Sequence, residues 1–559
     1  MQQHRAAAEG RVPGRTIPEV LAQAAALHGP REAIVDGDRR LTYAALAEVA
    51  RDAARAFLAH GVEAGDRVAL WAPNSGAWIV AALGLQSVGA VLVPINTRFK
   101  GAEAHDLLAR SRARMLFTVN GFLGVEYVAA LRTACSDAAS GRRPDAAPDA
   151  RRKVATLPGL EHVVVLEGPV PDGCLAWREF LDAGREVPPV EAERRAAAVR
   201  EDDLCDILFT SGTTGVPKGV QTTHRQALRA QRSWIDMVGL ESGDRYLIVN
   251  PFFHAFGYRA GWLSCLLVGA TILPEAVLEP GRLAGRVARE RVTVLPGPPT
   301  LYQSLLALPA SERPPCATLR LAVTGAASVP VELVRRMRSE LGFATVITGY
   351  GLTECTGVAT MCRSDDDLET IATTCGRAIP DVEVRVVGDD GRELPRGTEG
   401  EVVIRGYNVT CGYLDDEAAT REAIDPDGFL HTGDVGVMDE RGYLRITDRK
   451  KDLFIVGGFN VSPADVERAL LRHPAIAHAA VIGVPDERLG EVGMAFVVPR
   501  PGERLARDEV VAWCRQEIAN FKVPRHVAIV DDLPLNATGK VQKLVLRERA
   551  RALLATRNG

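Results

Sequence analysis

DILFTSGTTGVPKGV, Asp206 to Val220, is the stretch that decides the fold. Ile207 to Thr210 read as a buried strand, apolar until it reaches a hydroxyl. That strand runs directly into Ser211, Gly212, Thr213, Thr214, Gly215, Val216, Pro217, Lys218 and Gly219. Glycines let backbone N–H groups approach an anion closely, and the three hydroxyls add donors. Lys218 supplies the positive charge that a polyphosphate needs. The loop is not a Walker A loop, which has Gly immediately before the Lys and Ser or Thr after it. Here Pro217 precedes and Gly219 follows. On composition alone an ordinary turn explains the segment equally well.

Outward from this loop, the first half of the chain alternates helix and strand. Leu46, Val49, Ala53, Phe57 and His60 mark one helix face, with Thr42 as N-cap and Gly61 as the stop. RVALWAP (Arg67 to Pro73), AVLVPIN (Ala90 to Asn96) and HVVVLEG (His162 to Gly168) read as strands. The longest apolar runs, Trp78 to Pro94 and Trp262 to Pro274, are interrupted by polar residues or glycine. They read as helix-then-strand units, not membrane spans, which need about 20 apolar residues. The rhythm predicts α/β architecture with parallel-type sheets, in two subdomains. Ser136 to Arg152, rich in Ala, Asp, Arg and Pro, is expected to be a mobile insertion. After Gly376 short alternating strands predict a small β-rich subdomain. A small α+β module closes the chain, its first helix opened by Ser462, Pro463 and Asp465. The expected division is a loose tail over 1–15, a large domain over 16–450 and a mobile C-terminal domain over 451–559.

The 559 residues exceed one ordinary core, and 47% apolar with 25% charged residues fits a globular protein. A formal net charge of -4 gives no global field to recruit nucleic acid or an anionic membrane. Ten cysteines are scattered without a CxxC pair or a zinc-type Cys/His cluster, which predicts reduced thiols in a cytoplasmic protein. The first fifteen residues lack the apolar core of a signal peptide.

TSGTTGVPKGV closely resembles the signature of the adenylate-forming enzymes, in their acyl-CoA synthetase branch. Six further motifs follow in the order this family shows: NPFFHAFG (Asn250 to Gly257), VTGAASVP (Val323 to Pro330), YGLTE (Tyr350 to Glu354), HTGD (His431 to Asp434), DRKKDLFIVGGFN (Asp448 to Asn460) and PLNATGK (Pro534 to Lys540). The resemblance spans roughly Thr16 to Arg549. It implies a ligase that makes an acyl-adenylate from a carboxylate and ATP, then passes the acyl group to coenzyme A. By resemblance, Thr210 to Lys218 hold the outer phosphates, Thr353 donates to the α-phosphate and Glu354 holds Mg²⁺. Tyr350 and Gly351 stand at the adenine with the loop Gly325, Ala326 and Ala327. Asp434 accepts from the ribose hydroxyls and Arg449 adds a donor fork. Lys540 bridges carboxylate and α-phosphate, Lys451 is the hinge, and Gly457 and Gly458 leave a slot for the pantetheine arm. Taken singly, Asp434 reads as a turn residue, Tyr350 as a core aromatic and Lys540 as a solvated surface lysine.

The acyl pocket is expected from Phe252 to Trp262, Leu295 to Tyr302 and Val323 to Ala327, with His254, Phe256, Tyr258, Pro298 and Thr324 on its walls. His254 lines or gates that pocket and is not expected to be a general base. No carboxylate occurs from Phe252 to Trp262, which disfavours an amino acid. FFHAFGYRAG, VLPGPPTLYQSLL and TMCRSDDD resemble the sterol-degradation branch of these ligases. That implies a propanoate from steroid rings C and D, otherwise a medium- or long-chain fatty acid. Loading of a carrier protein, or an aryl-CoA ligase, are the alternatives. The partners implied are small molecules only, with no nucleic acid and no integral membrane segment. A homodimer stays open.

Overall fold

The computed structural model describes residues 11–139, 156–210, 217–314, 317–325, 329–449, 452–456, 459–486, 489–518, 520–536 and 540–555. Contacts divide the chain into two compact units, one built from 1–373, 378–383 and 405–430 and the other from 374–377, 384–404 and 431–559.

The first unit holds an eight-stranded sheet in the order Gly412–Tyr413, Lys218–Thr223, Leu204–Thr210, Val91–Pro94, Arg67–Trp71, Met115–Val119, His162–Glu167 and Leu175–Ala176. From Leu204–Thr210 onward every pairing is parallel. Val91–Pro94 and Met115–Val119 are buried at every position, as strands covered on both faces must be. A second set of strands runs Arg39–Thr42, Glu32–Asp36, Thr271–Pro274 and Arg245–Ile248. Val294 bridges it, through Tyr246 and Leu321, to the parallel pair Leu321–Gly325 and Thr345–Tyr350.

Local signals place the helices. Thr42 accepts from the Ala45 N–H and opens the helix Tyr43–Ala59. Its buried face is Leu46, Ala50, Ala53 and Phe57, so Ala50 takes the place expected for Val49. Phe57 packs on Phe117 and Phe180. Helix Gly76–Ser87 is buried all round, which explains the apolar run beginning at Trp78. A Cβ on Gly84 would lie 2.6 Å from Ala53 Cβ, so the approach of these two helices depends on small residues. Among the described residues no helix is long and apolar enough to cross a membrane.

Two expectations change. The loose tail does not extend to residue 15: Val12 is buried, its N–H donates to Leu267 O at 3.0 Å, and Arg11 pairs with Asp236. A valine with an apolar seat and a ladder-like bond orders a segment whose composition predicts none. The helix Tyr127–Ala139 runs through the first residues of the expected insertion, and 140–155 lies outside the described residues.

The second unit contains most of the four-stranded sheet Val382–Val387, Glu399–Gly406, Leu430–Met438 and Leu444–Arg449. Its other sheet is Phe459–Val461, Phe454–Val456, Gly490–Pro499 and Ile476–Asp486, with His526–Ile529 parallel to Gly490–Pro499. Val481, Ala495 and Val497 pack into one apolar core, while Ile482, Met494 and Phe496 pack into another with Leu546. Ser462 accepts from the Asp465 N–H and opens helix Pro463–Leu471 as its sequence predicts. Asp448 holds that helix start: its Oδ2 accepts from Ser462 Oγ at 2.8 Å and from the Ala464 N–H at 3.2 Å.

Candidate active site

Strands Leu204–Thr210 and Lys218–Thr223 form an antiparallel hairpin with Thr210 opposite Lys218 at its mouth. Ser211, Gly212, Thr213, Thr214 and Gly215 belong to 211–216, outside the described residues. The arms of that loop are anchored. Arg110 Nη1 donates to Pro217 O at 2.5 Å, and its guanidinium lies 5.9 Å from the centre of the Phe209 ring. On the outer side the strand Gly412–Tyr413 pairs with Val220 and Gln221. Leu414 N–H donates to Gly219 O at 2.7 Å, and Thr410 Oγ1 to Gln221 O at 2.6 Å.

Strands Leu321–Gly325 and Thr345–Tyr350 run parallel in register, Gly325 beside Gly349, so their carboxyl ends share one edge. In open α/β sheets ligands bind beyond such ends. Gly325, Tyr350 and Gly351 lie there, followed by the 3-10 turn Thr353–Cys355 that carries Thr353 and Glu354. A Cβ on Gly351 would lie 2.4 Å from Gly357 O, so only glycine fits this crossing. Ala326 and Ala327 lie outside the described residues. Thr410 ties this edge to the hairpin, because its N–H donates to Glu354 O at 2.8 Å. Tyr413 adds a side-chain link: its hydroxyl donates to Glu354 Oε1 at 3.1 Å, and Lys218 Nζ lies 4.9 Å from its ring centre. Burial, and then the Glu354 charge, push the Tyr413 phenol up from its ordinary pKa, so it stays a donor. The sequence motifs missed Tyr413; it lies on a strand of only two residues, with no pattern to mark it.

In the acyl segment, His254 caps the short helix Ala255–Gly257, its Nδ1 accepting from the Phe256 N–H at 3.3 Å. Phe256 and Pro298 are half-buried. Tyr258 is fully buried, stacked on Trp262 with ring centres 5.0 Å apart, and accepts from Gln86 Nε2 at 2.8 Å. It packs in the core that carries the segment. Thr324 is buried, with no partner for its Oγ1 among the described residues.

The second unit carries the remaining candidates. Asp434 is buried on strand Leu430–Met438 and pairs in register with Arg449. The segment before it is held by Glu401, which accepts from the Gly433 N–H at 3.2 Å. Lys540 is exposed at the base of a tight turn, its N–H donating to Asn536 Oδ1 and its carbonyl accepting from Asn536 N–H, each at 2.8 Å. Lys451, Gly457 and Gly458 lie outside the described residues.

The described residues contain no cluster of three or more His, Cys, Asp or Glu able to hold a metal by itself. The Glu354 carboxylate, linked through Tyr413 to the Lys218 end of the hairpin, has the chemistry of a hard-cation ligand, one whose remaining ligands would be phosphate and water.

The family described as AMP-binding enzyme matches residues 21–414, and its C-terminal domain matches 465–540. The chain belongs to the AMP-binding enzyme family. This AMP-binding enzyme is 49% identical, over 95% of its length and 98% of the other, to a 3-[(3aS,4S,7aS)-7a-methyl-1,5-dioxo-octahydro-1H-inden-4-yl]propanoyl:CoA ligase of Rhodococcus jostii (strain RHA1). It is 49% identical over 96% and 99% to the Mycobacterium tuberculosis protein of the same name. To the mitochondrial medium-chain acyl-CoA ligase ACSF2 of Homo sapiens it is 32% identical, over 96% and 87%. A solved structure of the anthranilate CoA ligase AuaEII with anthranoyl-AMP superposes with TM-score 0.83 at 27% identity, covering 97% of this chain and 98% of that one. The AMP-binding enzyme is thus an ATP-dependent acid–thiol ligase of the acyl-CoA synthetase type, using ATP, Mg²⁺ and coenzyme A.

Proposed function

We propose that the acid is a compact bicyclic propanoate of steroid-ring origin, activated as its acyl-adenylate and released as the coenzyme A thioester. The observation that carries this is the gap in likeness. Identity is 49% to two ligases named for the 7a-methyl-dioxo-octahydroindenyl propanoate, against 32% to a medium-chain ligase of similar coverage. A carboxylate-free acyl segment carrying the half-buried Phe253 and Phe256 suits an apolar, rigid acid.

In this reading two anions must meet, so the residues supply oriented donors and positive charge. Thr210 to Gly215 and Lys218 bind the β- and γ-phosphates, and Thr353 donates to the α-phosphate. Glu354 would hold Mg²⁺, which would supply charge neutralisation at the phosphates for cleavage of the α–β phosphoanhydride. Tyr350 stacks on adenine against Gly325 to Ala327 and Gly351. Asp434 accepts from the ribose hydroxyls, and Arg449 adds donors on the same side. Lys540 spans the carboxylate and the α-phosphate while a carboxylate oxygen attacks phosphorus and pyrophosphate leaves. Then the thiol sulfur, entering past Gly457 and Gly458, attacks the acyl carbon and AMP leaves. His254, Phe256, Pro298 and Thr324 belong to the acyl side, and Tyr258 supports that segment from the core. Lys451 is the hinge between the domain over 16–450 and that over 451–559. The same reading assigns the enzyme to the cytoplasm, in keeping with nine unbridged cysteines among the described residues, and leaves a homodimer for light scattering to decide.

The deciding experiment measures pyrophosphate release with and without coenzyme A for the indane-dione propanoate, octanoate and an aryl acid. The bicyclic acid should exceed the others in kcat/KM by about 10- to 200-fold, the discrimination an apolar pocket provides. Octanoate or the aryl acid performing as well would sink the assignment.

A further inference from the structure

Two loops far apart in sequence handle phosphate and cation in the proposed mechanism, and something must fix the distance between them. Lys218 is an amine and Glu354 a carboxyl group. Left to themselves, a flexible ammonium and a carboxylate on neighbouring loops would pair and neutralise each other before nucleotide arrived. Tyr413 meets both. Its hydroxyl donates to Glu354 Oε1 at 3.1 Å, and Lys218 Nζ stands 4.9 Å from its ring centre, within cation–π range. The tyrosine itself has little freedom. Its backbone pairs with Val220, Leu414 N–H donates to Gly219 O at 2.7 Å, and the Tyr413 N–H donates to Thr420 Oγ1 at 2.9 Å. Thr410, three residues earlier, binds the Glu354 carbonyl and Gln221 O at once. Residues 410–414 therefore form a clip across both loops.

We infer that Tyr413 is a positioning residue that couples the two loops, orienting the Glu354 carboxylate through its hydroxyl and seating the Lys218 ammonium on its ring. This rests on the roles proposed above for Glu354 and Lys218. The two halves of the side chain have separate duties. A hydrogen bond to one carboxylate oxygen fixes the rotation of the carboxylate plane and with it the direction offered to a cation. The ring face holds a cation without neutralising it, so Lys218 keeps its charge for the phosphates.

The duties separate by substitution. The full-length enzyme is titrated calorimetrically with α,β-methylene-ATP, once in Mg²⁺ and once in EDTA, so that binding is read without turnover. Tyr413→Phe keeps the ring and loses the hydroxyl; it should cut the gain in affinity that Mg²⁺ confers about tenfold, the worth of a hydrogen bond to a charged group, and leave affinity in EDTA within about twofold. Tyr413→Leu loses both and should also weaken binding in EDTA about threefold to tenfold, through the lost seat of Lys218. A purely structural tyrosine would lower both affinities together in the Phe variant. Full retention of the Mg²⁺ gain in Tyr413→Phe overturns the inference, as does an equal fall in Mg²⁺ and EDTA. Glu354→Gln separates the levels. If it keeps the Mg²⁺ gain, the role of Glu354 itself fails. If it abolishes the gain while Tyr413→Phe does not, only the positioning role of Tyr413 fails.

Discussion

Asp206 opens the stretch that reveals the fold, yet its partner lies 53 residues away. Arg259 Nη2 donates to Asp206 Oδ1 at 2.5 Å and to Thr222 Oγ1 at 2.7 Å, and both members of the ion pair have fully buried side chains. Arg259 Nη1 has no hydrogen-bond partner among the described residues. Such a pair contributes little net stability when intact, because desolvation offsets attraction, but breaking it strands a charge. Asp206→Asn should therefore lose about 3–5 kcal/mol in urea unfolding, and the double variant Asp206→Leu, Arg259→Met should lose less than that single change. A loss below about 1 kcal/mol for Asp206→Asn would mean that water reaches the guanidinium. None of this is legible in the sequence. A carboxylate inside a buried strand is understood only with its counter-charge, and FFHAFGYRAG reads Arg259 as one more residue of the acyl segment. The converse holds for Tyr258: an aromatic in that segment reads as pocket wall, whereas Gln86, far upstream, draws its hydroxyl into the core. The ordered motifs are legible because each concentrates its chemistry within a few residues, and Tyr413 is not, because its meaning lies in contacts with Lys218 and Glu354.

At the scale of elements, capping chemistry is what the sequence carries most faithfully. Thr42 and Ser462 both cap the helices they announce, since a hydroxyl before an amphipathic run satisfies N–H groups that have no other partner. The docking of the N-terminal helix was not legible, because it depends on a histidine two hundred residues on. The Ile17 N–H, at the start of helix Ile17–His28, donates to Nδ1 of His224, the first residue of helix His224–Val238. His224 is buried, and burial lowers its pKa from 6.5 to about 4, against a weaker opposing pull from Asp203. The folded state thus favours neutral imidazole. Its contribution is complete above pH 6.5 and is lost progressively as pH falls from 6.5 towards 4, where the unfolded chain takes up a proton that the folded chain refuses. At 1.36 kcal/mol per pH unit the loss approaches roughly 3 kcal/mol. Urea midpoints at pH 7 and pH 4.5 test this against His224→Asn. The variant should be less stable at pH 7, and the gap should narrow by about 2–3 kcal/mol at pH 4.5, since asparagine does not titrate. A gap independent of pH would show that the histidine is not held neutral.

At the scale of the molecule, one chain must run two reactions that need different groups at the same acyl carbon. Adenylation needs a cation at the carboxylate and α-phosphate, the part proposed for Lys540. Thioester formation needs an open path for a long thiol arm, the part proposed for Gly457 and Gly458. Both segments lie after Lys451, so a change of backbone angles there would exchange one for the other. Such an exchange would meet a resisting contact: Asp448 precedes the proposed hinge and Ser462 and Ala464 follow it, so the bonds among them would have to yield or re-form if helix Pro463–Leu471 moved. Hydrogen bonds to a carboxylate are worth about 1.5–3 kcal/mol each, small enough for cycling within a turnover and large enough to define a resting state. Two substitutions should then act in opposite senses. Lys540→Ala should lower acyl-adenylate formation by about 10²- to 10³-fold, the usual effect of removing a group that stabilises developing charge, while thioester formation from supplied acyl-adenylate stays within about threefold. Lys451→Pro fixes φ at the hinge and should do the reverse, slowing the thiol step by more than about tenfold and sparing pyrophosphate release in the first turnover. Single-turnover measurement of each half-reaction distinguishes the cases. If both steps fall in parallel in either variant, with folding intact by circular dichroism, then no rotation at Lys451 divides the labour, and the two reactions share one arrangement of the C-terminal segment.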